Sequence, residues 1–89
     1  MQIPKLQVLV EAGAVRAVTA TYETEANGWV VQIGYTTRSG DRCDVLERQR
    51  GGVRVFATLD AVASGLFACG CESFRVINPQ SSEGQSNDC

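Results

Sequence analysis

Residues 15–37 read VRAVTATYETEANGWVVQIGYTT, and this stretch decides the fold of the 89-residue chain. Its first part, 15–25, is rich in Val, Thr and Tyr, which favour β-strands. The dipeptide Asn27-Gly28 is a strong signal for a tight hairpin turn, and residues 29–37 return as a second strand. Every second residue of that strand is apolar, which predicts one packed face and one largely polar face.

The sequence that follows extends this hairpin into a meander. A turn at 39–41 leads into a more polar third strand at 42–50, whose composition suits the edge of a sheet. Gly51-Gly52 predicts another hairpin turn, after which a fourth strand is expected at 53–57.

Two helices and a last strand complete the predicted order. Residues 58–69 have the apolar spacing of an amphipathic helix, with Thr58 as the N-cap and Gly70 as the stop. Residues 4–12 favour a short helix, since a proline fits its first position, although the same apolar residues also allow a strand. A short strand is expected at 73–78.

The predicted fold class is α+β: an antiparallel β-meander of three to four strands, with one amphipathic helix packed on one face, a short N-terminal helix and a final short strand. We expect one domain at 1–78 and a disordered polar tail at 79–89. The predicted core consists of Trp29, Val31, Ile33, Tyr35, Val62, Leu66, Phe67, Phe74 and Val76.

A second apolar group is predicted on the face of the sheet opposite this core. Its members are Val18, Ala20, Tyr22 and Val30. Because a sheet with one exposed apolar face and an open edge gains stability from pairing, we expect a homodimer.

Composition excludes several function classes. Eight Lys and Arg residues against ten Asp and Glu residues give a net charge of −2, so the chain is neither an obvious polyanion binder nor a DNA mimic. Histidine is absent, which removes the commonest general base and a common zinc ligand. With no catalytic motif, we expect a non-enzymatic protein without a cofactor. The lack of a signal peptide or a long apolar run predicts a cytoplasmic protein that does not contact membranes.

The four cysteines are Cys43, Cys69, Cys71 and Cys89. In a cytoplasmic protein we expect reduced thiols rather than a disulfide framework. Cys69 and Cys71 form the one close pair, and a structural zinc site needs two further ligands. The sequence therefore predicts buried structural cysteines and no metal site.

Arginines supply seven of the eight basic residues, and five of them fall within 38–54. Arginine on a β-ribbon can contact the phosphates and base edges of DNA. The alternative is that these arginines pair with the carboxylates interleaved among them, so DNA is a partner that the sequence permits but does not favour. The candidate nucleic-acid contacts are Arg38, Arg42, Arg48, Arg50 and Arg54.

The outer face of the second predicted helix carries small residues where charges are usual. A smooth surface of this kind lets another backbone approach closely, which predicts a protein interface. The alternative is that the N-terminal helix of the same chain covers it. The candidate interface residues are Ala61, Ser64, Gly65 and Ala68, together with Tyr22.

Two stretches, IPKLQVLVEAGAVRAV at 3–18 and RGGVRVFATLDAVASGL at 50–66, resemble the short partition-associated ParC-like proteins of bacterial plasmids and integrated conjugative elements, which are unrelated to the topoisomerase subunit of the same name. The similarity covers residues 2–78 and carries no catalytic motif. The resemblance implies a bacterial cytoplasmic protein that works beside a ParA-type ATPase and a ParB-type protein. We expect an accessory or adaptor in plasmid partition or maintenance; an inhibitor of a host defence complex would show the same sequence features.

Overall fold

The structure is a computed structural model in which residues 1–77 are described. The elements, in chain order, are α1 (Ile3–Glu11), β1 (Val15–Glu23), β2 (Gly28–Thr37), β3 (Gly40–Val45), α2 (Leu59–Ala68) and β4 (Arg75–Ile77). The sheet order is β3-β2-β1-β4: the first three strands form an antiparallel meander, and β4 lies parallel to β1. The predicted α+β fold class is confirmed. The tail predicted at 79–89 lies outside the described residues.

Both helices begin and end where local backbone chemistry predicts. A proline occupies the first turn of α1, where a missing N–H costs little. The Thr58 hydroxyl accepts a hydrogen bond of 3.1 Å from the backbone N–H of Ala61 and so caps α2. Each helix is followed by a glycine with positive φ, Gly13 or Gly70, and the next N–H groups bond back to the last turn. The N-terminal segment is therefore a helix and not a strand.

The connection between β1 and β2 differs from the predicted two-residue turn. Glu23 pairs with Gly28, so the turn contains the four residues 24–27. Asn27 supplies the positive φ, 59°, and its N–H donates to the carbonyl of Thr24 at 3.1 Å. Asparagine tolerates this conformation better than most residues, which leaves Gly28 to act as a strand residue.

The predicted fourth strand at 53–57 is wrong. In its place, Phe56 forms an isolated bridge with Trp29, and each N–H donates to the other's carbonyl at 2.7 and 2.8 Å. The meander strand β3, which ends at Val45, already occupies this edge of β2 from residue 32 to residue 37. The space left beside β2 therefore accepts a single residue pair rather than a strand.

One face of the sheet packs against both helices. Leu6 of α1 and Val62 and Leu66 of α2 are fully buried there. Of the predicted core, Trp29 and Phe74 are half-buried against this cluster. The residues that form the buried cluster are Met1, Leu6, Val18, Ala20, Val31, Ile33, Tyr35, Leu46, Phe56, Val62, Leu66, Cys69 and Cys71.

Two predicted core residues are exposed instead. Phe67 leaves 55% of its surface accessible and Val76 leaves 44%. Successive residues of a helix are about 100° apart around its axis, so when Leu66 points into the sheet, Phe67 lies on the flank. Val76 lies on β4, the outermost strand on its side of the described sheet, where only one neighbouring strand covers it.

Val18 and Ala20 belong to the core and not to the opposite face. Val18 pairs directly with Ile33 in the β1–β2 register. Two residues along, Ala20 pairs with Val31. Directly paired residues share one face of a sheet, so the buried alternation of β2 also determines the buried face of β1. Val30 lies on the other face but is itself buried, which leaves no apolar face of the kind predicted.

Candidate interaction surfaces

The five candidate arginines do not form one surface. Arg38 lies in the two-residue turn between β2 and β3, and Arg42 follows on β3. Arg48, Arg50 and Arg54 lie in the segment beyond the other end of β3. Residues 43–47 separate Arg42 from Arg48, and the first three of them continue β3, each contributing about 3.3 Å. The fold therefore does not present residues 38–54 as a single DNA-contacting ribbon.

Three of the arginines, Arg48, Arg50 and Arg54, line one open groove, which we call the arginine groove. Its other lining residues are Ile3, Glu47, Gln49 and Val55.

The backbone around the arginine groove is held in place by side chains on both sides. Gly51 and Gly52 turn the chain with φ of 95° and 84°, and the Arg48 Nε donates to the Gly51 carbonyl at 3.3 Å. From α1's side, the Gln2 amide lies within 3.3 Å of the carbonyls of Arg48 and Gln49. The loop is thus connected both to itself and to the start of the first helix.

The arginines of the groove form no ion pair within residues 1–77. The one salt bridge in that part of the chain joins the Met1 ammonium to the Glu47 carboxylate at 3.4 Å. Glu47 is the acidic residue of the groove itself, and it is occupied by this contact. For these three arginines the structure does not show pairing with the interleaved carboxylates, and their side chains are exposed at the surface.

The small residues of α2 divide into two sets. Ala61, Ser64 and Ala68 are exposed, so α1 does not cover them. Gly65 faces inward, since a Cβ added there would lie 3.4 Å from Cε2 of Phe56. Gly65 is therefore a packing residue that permits close approach of the Phe56 ring. It is not part of the predicted interface.

Next to the exposed small residues lies a pair of aromatic rings that the sequence pattern assigned to the core. The rings of Phe67 and Phe74 lie 6.4 Å apart at 58°. We call Ser64, Phe67, Ala68 and Phe74 together the Phe67 surface. Asp60, in the first turn, is the only charged residue of α2. The signal that could have located this surface is the flank position of Phe67 on the helix, one residue after the buried stripe.

Tyr22 is not part of that surface. Its ring packs edge-on against Trp29 with centroids 5.3 Å apart. The hydroxyl donates to Oδ1 of Asn27 at 3.1 Å. Tyr22 is half-buried on the face that the helices cover, and these contacts hold the β1–β2 turn rather than present an interface.

A short side-chain hydrogen bond of the sheet joins Tyr35 and Asp44. The buried phenol of Tyr35 donates a 2.7 Å hydrogen bond to Oδ2 of Asp44. This hydrogen bond raises the pKa of Tyr35 above its usual 10.0; burial and the negative charge of Asp44 add to the rise, and Arg42 opposes it. The contact fastens β3 to the core and keeps the phenol protonated.

The close cysteine pair lies at the end of α2. Cys69 and Cys71 are free, buried thiols, and burial raises the pKa of both, with a further rise for Cys71 from its neighbour. Protonated thiols are poor metal ligands and nucleophiles. Residues 1–77 contain no group of three or more acidic, Cys or His side chains placed to hold a metal ion. Cys43 on β3 is disulfide-bonded, which differs from the reduced thiols expected of a cytoplasmic protein.

A family model covers almost the whole described chain. The model of the ParC-like family matches residues 2–80. The chain belongs to the ParC-like family. For this ParC-like chain, neither the curated proteins nor the solved structures provide a match. The matched region contains the arginine groove and the Phe67 surface, and no helix of residues 1–77 has the length and hydropathy to cross a membrane.

Proposed function

We propose that this ParC-like protein is a non-enzymatic accessory protein of a bacterial mobile element, which acts through protein–protein contacts in plasmid partition or maintenance. The observation that carries the proposal is the Phe67 surface, where the exposed ring of Phe67 lies on the flank of a helix whose one charged residue is Asp60, beside the half-buried ring of Phe74. An exposed apolar patch of this kind is characteristic of protein contact sites. The partition role is the one that the resemblance to partition-associated proteins implies.

The first partner proposed for the Phe67 surface is a second copy of the chain. In a two-fold pair the same patch contacts itself, so each Phe67 ring meets the small side chains of Ser64 and Ala68 on the other copy. None of the four residues of the patch is charged, and Glu72, which lines the same shallow pocket as Phe67, must lie at the rim of the contact so that the two Glu72 carboxylates stay apart. A 9.6 kDa chain has a small core and gains stability from the added burial.

Binding to the ParA-type and ParB-type proteins of the same element tests the accessory role. Each purified protein is immobilised, and the full chain is passed over it in reducing buffer. We expect saturable binding to at least one of them. The proposal is contradicted if both fail to bind while the chain binds duplex DNA.

The unpaired arginines support one alternative, a small DNA-binding accessory. Arginine side chains that bind DNA displace counterions from the phosphates, so DNA affinity falls steeply as the salt concentration rises. The affinity of a contact through an uncharged apolar surface depends little on salt. Titration of a DNA duplex at several salt concentrations distinguishes the two functions. A steep slope that disappears when Arg48 and Arg50 are replaced by alanine would favour the DNA-binding alternative.

A further inference from the structure

The arginine groove is a second surface, separate from the helix flank that carries Phe67. We propose that it is the docking site for an extended acidic peptide segment of a partner protein, with apolar side chains between its carboxylates. The proposal rests on the contacts of the groove alone and does not depend on dimerisation through the Phe67 surface.

Charge gives the first argument for an acidic ligand. The groove brings together Arg48, Arg50 and Arg54, and its one acidic residue, Glu47, is already paired with the Met1 ammonium. The chain as a whole has a net charge of −2, so the groove is a local cationic site on an acidic protein. Guanidinium groups bind carboxylates through two parallel hydrogen bonds.

Apolar side chains beside the arginines favour a peptide over a nucleic acid. Val55 lines the groove and leaves 41% of its surface exposed, and Val53 on the same segment leaves 45%. Ile3 lies half-buried at the other wall. A phosphate backbone offers nothing to cover these side chains, and a net negative protein repels a long polyanion. A peptide that alternates acidic and apolar residues matches both the arginines and the apolar side chains of the groove.

The groove is organised before any ligand binds. The Arg54 guanidinium lies over the buried ring of Phe56, 4.8 Å from its centroid, in the geometry of a cation–π contact. Arg48 is bonded to its own loop through the Gly51 carbonyl. Side chains held in this way lose less conformational entropy on binding, so a short acidic segment gains affinity from a pre-formed site.

Fluorescence anisotropy with synthetic peptides tests this proposal on the full chain. The probe is a labelled peptide of alternating Glu and Leu; the comparison peptides replace Leu with Gly or Glu with Lys, and a labelled DNA duplex is titrated in parallel. We expect saturable binding of the Glu-Leu peptide, weaker binding of the Glu-Gly peptide and none of the Lys-Leu peptide. The Arg50→Ala change should weaken the Glu-Leu complex about tenfold, as loss of a hydrogen bond to a charged group predicts.

The matched control is Arg16→Ala, which removes an exposed arginine from β1, outside the groove. It should leave peptide affinity unchanged, and circular dichroism should show that both variants fold. Absence of Glu-Leu binding overturns the proposal, and so does an equal loss in the Arg16 variant. Equal affinity for the Glu-Gly peptide or tighter binding of the duplex also overturns it, because either result would mean that the groove recognises negative charge alone.

Discussion

The guanidinium carbon of Arg54 lies 4.8 Å from the centroid of the Phe56 ring. The same ring approaches Gly65 of α2, where a Cβ would lie 3.4 Å from it. Phe56 therefore joins the arginine groove to the helix that carries the Phe67 surface. The close pairing of Phe56 with Trp29 fixes this connection to the sheet, so two surfaces of different chemistry rest on one packed unit.

The buried stripe of α2 predicts that an aspartate substitution has very different effects on stability at two adjacent positions. Leu66→Asp should unfold the domain, because Leu66 is fully buried and an unpaired buried carboxylate is costly. Phe67→Asp should keep the native circular dichroism spectrum, since that side chain is mostly exposed in the single chain, and should lower the melting temperature only by the stabilisation that pairing with a second copy adds. A Leu66→Asp protein with an unchanged melting temperature would show that the buried face of α2 has been assigned incorrectly.

Two glycines of β2 should respond differently to alanine. A Cβ at Gly28 would lie 2.5 Å from Cγ1 of Val55 and 2.7 Å from the Phe56 carbonyl oxygen, so Gly28→Ala should lower the free energy of unfolding by about 1–3 kcal/mol. At Gly34 the nearest atom would be 3.7 Å away, on Ala17. Gly34→Ala should therefore be neutral or stabilising by up to about 1 kcal/mol. Denaturant unfolding measures both, and equal stability of the two variants would argue against the close approach at Gly28.

The Tyr35–Asp44 contact predicts a loss of stability in alkaline solution. Because its pKa is raised in the folded protein, Tyr35 keeps its proton above pH 10.0 while the unfolded chain releases it. The stabilisation is complete below that pH and decreases as the pH rises through the folded pKa. Unfolding measured across this range should show a smaller decrease for Tyr35→Phe than for the wild-type protein.

The same contact can be measured directly by tyrosinate absorbance. In a Tyr22→Phe background, Asp44→Ala should lower the Tyr35 titration midpoint, because it removes the hydrogen bond that raises the pKa most. Asp41→Ala on the same strand is the control, since its carboxylate accepts from the Thr36 hydroxyl and not from Tyr35. An unchanged midpoint in the Asp44 variant would mean that the hydrogen bond does not form.

Local signals allowed much of the fold to be predicted. The cap at Thr58 and the stop at Gly70 each depend on a few neighbouring residues, and both are found as expected. Along β2 the packed face is found, whereas the face predicted to be largely polar also buries Gly28, Val30 and Gly34. The helix that the sequence predicts at 58–69, between Thr58 and Gly70, extends from Leu59 to Ala68. Elements of this kind can be predicted because short-range hydrogen bonds and periodic burial determine them.

Features that depend on distant packing were not predicted. The alternation of β2 does not reveal that Phe56 fills the remaining edge beside Trp29, and two isolated bridges, Trp29–Phe56 and Glu47–Val53, stand where a whole strand is predicted. The parallel pairing of β4 with β1 involves residues far apart in the sequence. The candidate sites depend on distant packing in the same way: Gly65 packs against the Phe56 ring, and Arg38 and Arg42 lie near the start of β3, whereas the groove arginines follow its end.

Sedimentation equilibrium of the full chain tests the central claim, that the Phe67 surface binds a second copy. The experiment is run both with and without reducing agent, because a cross-link between chains must be distinguished from association while Cys43 is disulfide-bonded, and it compares wild type with Phe67→Ser. Val8→Ser is the matched control, because Val8 is an exposed apolar residue on α1 with 63% of its surface accessible. We predict twice the 9.6 kDa chain mass for wild type and Val8→Ser, and a single chain mass for Phe67→Ser. A wild-type protein that remains monomeric at high micromolar concentration would contradict the claim.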